Sequence, residues 1–96
     1  MIEYLIRRTD GEWFDLPATR FGEALWPSSF ASERVQGWGN WRIRCEGTEI
    51  SFSDEDPGIQ VSIEKELPRE VADQIAKEIC LNIERVTGQQ GRVVPL

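Results

Sequence analysis

Three stretches in the middle of the chain alternate apolar and polar residues with a period of two. Trp41, Ile43 and Cys45 alternate with Arg42, Arg44 and Glu46, and Ile50 and Phe52 with Glu49, Ser51 and Ser53. Ile59, Val61 and Ile63 alternate in the same way with Gln60, Ser62 and Glu64. Gly47-Thr48 and Asp54-Glu55-Asp56-Pro57-Gly58 punctuate them as turns. Residues 41–65 therefore predict an antiparallel meander with one apolar and one polar face. The period then lengthens. Val71, Ala72, Ile75, Ala76, Ile79, Ile83 and Val86 share one side at helical spacing, which predicts a helix over 68–87 lying on the apolar face. Pro68 suits the first helical position, and Gly88 suits a left-handed cap. Leu81 falls on the opposite side, either as a single exposed leucine or as a contact with a partner or second copy.

The first sixteen residues predict a hairpin. Ile2, Tyr4 and Ile6 share one face of a strand, Asp10-Gly11 supplies a turn, and Glu12–Leu16 returns with Trp13 and Phe14. Residues 17–40 are irregular, with a short helix over Arg20–Trp26 ended by Pro27 and a turn of helix around 31–36. Gly88-Gln89-Gln90-Gly91 reads as a hinge before a tail, 88–96, that docks or adds an edge strand, with Pro95 limiting the pairing. The expected fold is α+β, a single domain: an antiparallel sheet made of the N-terminal hairpin and the three-stranded meander, packed on one C-terminal helix.

Composition narrows the chemistry. The chain has 96 residues and no histidine, which removes Ser-His-Asp and Cys-His catalysis and imidazole-bound zinc. Two cysteines, Cys45 and Cys80, are too few for a four-thiolate site and are expected reduced, as small hydrophobes. No apolar run is long enough to span a membrane, and Glu3 with the late Arg7-Arg8 reverses the order of a signal peptide, so the expected compartment is the cytosol. The net charge of −6 disfavours direct nucleic-acid binding and suits a basic protein partner. Residues 1–48 carry six arginines against seven acids, and residues 49–96 five basic against ten acidic residues, so the excess lies in the second half.

The candidate partner-binding residues follow from that excess. Asp54, Glu55 and Asp56 form either a solvated hairpin tip or an acidic knob facing a cationic partner; Pro57 breaks the spacing of a calcium loop. Glu64, Glu66 and Glu70 crowd the last strand and the helix start, and Trp38 sits between glycines before the third strand. Arg42, Arg44, Glu46, Glu49 and their neighbours on the polar face either pair across strands or form a platform for another protein. A catalytic carboxylate pair needs a cleft, for which one helix on one sheet leaves little room, so no catalytic residue, metal or cofactor is expected.

The segment Trp38-Gly39-Asn40-Trp41-Arg42-Ile43-Arg44-Cys45-Glu46-Gly47, the acidic hairpin and the helix ending in Val86-Thr87-Gly88 together resemble bacterial immunity proteins. These are the antitoxins of polymorphic-toxin and contact-dependent growth-inhibition systems. The likeness is one of architecture, clearest over residues 41–88, and carries over no residue role. It implies a cytosolic, non-enzymatic inhibitor of a toxin whose C-terminal domain is often a nuclease. The other class open to such a chain is a homo-oligomeric or accessory module that uses the open sheet face or the tail.

Overall fold

The computed structural model describes residues 1–55, 58–65 and 67–96. Among these residues, six strands form one antiparallel sheet: β1 (Ile2–Arg8), β2 (Ser32–Arg34), β3 (Trp41–Cys45), β4 (Thr48–Glu55), β5 (Gly58–Ile63) and β6 (Gly91–Pro95). Their order across the sheet is β2-β3-β4-β5-β1-β6. A 3-10 turn (Ala18–Arg20) and the short α1 (Phe21–Ala24) lie between β1 and β2, and the long α2 (Arg69–Thr87) precedes β6. The α+β class, the meander and the C-terminal helix stand as the hydrophobic pattern predicts.

The core lies between α2 and the apolar sheet face. Tyr4, Ile6, Ile43, Ile50, Phe52, Val61 and Ile63 meet Ala72, Ile75, Ala76, Ile79 and Ile83, all buried. Val71 and Val86, at the ends of the helical stripe, pack at its margin. Gly88 ends α2 in the left-handed conformation, φ 73°, and its N–H donates to the Glu84 carbonyl. Pro68 stands one place earlier than expected, as the residue preceding the helix, and its carbonyl accepts from Val71 and Ala72. A helix about 10 Å wide cannot cover a six-stranded sheet about 24 Å across. The segment around α1 covers the remainder: Phe21 meets Trp41 edge-on at 6.2 Å, and the Trp41 Nε1–H donates to the Leu25 carbonyl. Asn82 and Glu78 of α2 bind that segment through the Trp26 carbonyl and Ser29.

Two expectations are corrected. Residues 12–16 are no strand, and the N-terminal hairpin does not form. Asp10-Gly11 does turn, with Gly11 donating to the Arg8 carbonyl, but both edges of β1 are taken, by β5 and by β6. The chain after the turn leaves the sheet instead. Phe14 and Leu16 pack on the core, Asp15 N–H donates to Gln89, and Trp13 is left half-exposed. The second correction concerns residues 31–36, where strand β2 replaces the expected turn of helix and pairs Ser32–Arg34 with Ile43–Cys45. A helical turn that short is unstable alone, whereas the outer edge of β3 offers backbone partners at once.

Candidate functional site

The polar sheet face, left uncovered by α2, is less open than its sequence suggests. Arg42 is only 6% exposed, and Ser51 and Ser62 beside it are buried. The Arg42 Nε donates to Glu49 at 2.7 Å, its Nη2 to Glu64 at 2.6 Å, and its Nη1 to the Ser51 hydroxyl. Arg44 donates in turn to Glu49 at 3.2 Å and to Glu33 at 2.6 Å. Glu49 thus bridges two guanidinium groups, and its hydrogen bonds, first to Arg42 and then to Arg44, hold its carboxyl below the usual value. Cross-strand pairing accounts for much of this face.

A loop closes over the network. Gly37 and Gly39 run flat against the sheet and set Trp38 above Arg42, whose guanidinium lies 5.4 Å from the ring centroid. Trp38 is 51% exposed on this face and does not cap the core. Arg34 stacks in the same manner on Trp41, at 4.0 Å, on the helix side.

The other candidate residues separate. Asp54 and Glu55 are exposed at the end of β4, and strand alternation directs them to opposite sides of the sheet. Asp56 and Glu66 lie outside the described residues. Glu64 belongs to the Arg42 network, and Glu70 is exposed in the first turn of α2. Acids missed by the sequence reading join Asp54 and Glu55. Arg7 pairs with Gly58, which pairs with Glu55, so β1 ends level with Glu55 two strands away. Asp10, Glu12 and half-exposed Trp13 follow at that end of the sheet on the β6 side, where Thr9 and Asp15 bond to Gln90 and Gln89. The Glu12 backbone N–H and the Arg8 guanidinium hold Asp10 below its usual carboxylate range, keeping it charged. Only the order and register of the strands could reveal that shared end.

Both sheet edges are blunted. Bonds from Thr9 to Gln90 and from Leu96 to Glu3 turn Arg92 and Val94 toward β1, leaving Gly91, Val93 and Pro95 facing outward. The Gly91 N–H is taken by Glu84 and Pro95 has none, so the tail is a poor template for strand addition. The opposite edge, β2, has three residues. Leu81 is 63% exposed between two shallow grooves of about 400 and 380 Å³, one reaching Phe30 and the other Val93.

Cys45 and Cys80 are both free and buried; burial raises both thiols, that of Cys80 to about 11. Among the described residues no group of three His, Cys, Asp or Glu is placed to hold a metal ion. No helix among them is long and apolar enough to cross a membrane. Comparison with known protein families, curated proteins and solved structures finds no match to this chain.

Proposed function

We propose that this protein is an immunity-type inhibitor: it binds a basic toxin domain, such as a nuclease, in the cytosol and neutralises it by occupying its cationic surface, with no catalytic step of its own. The observation that carries the reading is the placement of Asp10, Glu12, Asp54 and Glu55 at one end of the sheet, which also holds half-exposed Trp13 and Trp38. A groove built for phosphates is complemented by carboxylates, which speed encounter, and by aromatic anchors, which slow release. The resemblance to immunity proteins points the same way.

The test is co-expression with the product of the adjacent toxin gene, followed by association kinetics. Replacing Asp54, Glu55 and Asp56 by Asn or Gln keeps size and polarity, so the melting temperature should hold. Association should slow, and its salt dependence should flatten. Unchanged association at low salt would clear these three residues. Exposed Leu81 favours a second reading, a self-associating accessory module. Failure to bind any neighbouring toxin, together with a dimer that Leu81→Ala dissolves, would replace the inhibitor reading with that one.

A further inference from the structure

We infer that Trp38 is a preformed arginine-binding anchor, whose outer ring face takes a guanidinium of the basic partner with the Glu64 carboxylate beside it as acceptor. The inference rests on the reading of the chain as a binder of a basic protein, and it names the side chain that the open sheet face selects.

The loop is built to hold the ring still. A Cβ on Gly37 would stand 2.4 Å from the Arg42 Cδ, and one on Gly39, at φ 98°, would stand 3.0 Å from the Phe52 carbonyl oxygen. Only glycine on both sides of Trp38 lets the backbone press this closely to the sheet. Asn40 locks the position by donating its N–H to Phe52 and accepting the Asp54 N–H, each at 2.8 Å. A ring fixed in advance loses little freedom on binding, which is what distinguishes an anchor from an ordinary surface tryptophan.

The inner side of the ring already performs this recognition. Arg42 stacks under it while two carboxylates and a hydroxyl hold the guanidinium fork. Glu49 and Glu64 together outweigh Arg42, and adding the Arg44–Glu33 pair leaves the excess negative. Glu64 keeps 35% of its side chain exposed and Trp38 is 51% exposed, so a carboxylate and an aromatic ring are both open to solvent on the polar sheet face. An arginine satisfies both at once, through a flat stacking surface and a hydrogen-bonding fork, where lysine offers a point charge.

The probes are tetra-arginine and tetra-lysine amides, titrated into the full chain while the Trp38 indole N–H is followed by NMR and assigned with Trp38→Phe. Tetra-arginine should shift that resonance saturably and bind several-fold more tightly than tetra-lysine. Trp38→Leu should weaken tetra-arginine by roughly threefold to thirtyfold, the span of one cation–π contact, while Trp38→Phe retains part of the affinity. Trp38→Phe keeps an aromatic ring over Arg42 and should melt with the wild type, while Trp38→Leu gives up that stack and should melt slightly lower with the fold intact. Equal affinity for the two peptides, or shifts confined to Trp13 and the Asp54 region, overturns the inference. The underlying reading fails separately, if no basic protein co-purifies. A captured toxin that binds Trp38→Leu as tightly as wild type refutes the anchor alone.

Discussion

Replacing Arg42 by leucine tests the centre of the open face. The Arg42 side chain is 7% exposed and its guanidinium has partners in Glu49, Glu64 and Ser51, while the side chains of Glu49 and Glu64 remain 30% and 35% exposed. Removing one member of a fully buried ion pair costs about 3–5 kcal/mol, because the other charge is stranded. Here water reaches both carboxylates and takes over part of their solvation. Ser51, fully buried, loses its guanidinium partner, and an unsatisfied buried hydroxyl costs about 1–3 kcal/mol. The two effects overlap, and the net expectation is a loss of about 2–4 kcal/mol. Urea unfolding followed by far-UV circular dichroism should show the midpoint falling by roughly 1–3 M with an unchanged slope. Adding Glu64→Leu should recover part of the loss, since an apolar pair is cheaper to bury than a lone carboxylate. A loss within ~0.5 kcal/mol for the single variant, the size of an ordinary surface change, would refute the account of this network.

Ile79, fully buried under α2, should cost about 2–5 kcal/mol on truncation to alanine, while Leu81→Ala stays within ~0.5 kcal/mol; equal losses by urea titration would show the helix face to be wrong. Cys45 and Cys80 should show no crosslink by mass spectrometry of protein alkylated directly on cell lysis. Cys45 ends β3, whereas the Cys80 sulfur of α2 lies against Gly91 of β6, and β3 and β6 are four strand spacings apart, about 19 Å, far beyond the 4.4–6.8 Å that a disulfide allows between Cα atoms. Both thiols should also alkylate more slowly in the native than in the urea-unfolded protein, and a crosslink or equal rates would contradict the packing. Glu49, whose carboxyl is held below its ordinary 4.5, contributes stability that is complete above that value and lost as pH falls through the lower folded value. Glu49→Gln should remove that part of the acid limb of a stability–pH curve, and a variant limb identical to wild type would refute the coupling.

What the sequence by itself determined is whatever one element can state alone. The period-two runs from Trp41 to Ile63 specify which face of each strand is apolar, because shifting a strand by one residue would expose its whole hydrophobic set. The stripe from Ala72 to Ile83 and the cap at Gly88 specify the helix and its buried side in the same local way. Tertiary structure alone decided the contest for strand edges. Glu12–Leu16 has an adequate turn before it and adequate strand residues, yet β5 and the tail occupy both sides of β1, so it leaves the sheet and Trp13 meets solvent. Ser32–Arg34, with no alternation to announce it, becomes a strand because β3 has a vacant edge. The candidate site divides along the same line. The acids at 54 and 55 and the glycines around Trp38 were legible as local features. Their neighbours were not: Asp10 and Glu12 arrive through strand order, and Arg42 sinks because Glu49 and Ser51 come from β4 and Glu64 from the chain just beyond β5. A charge on a polar strand face reads as solvated until the loop that covers it is in place.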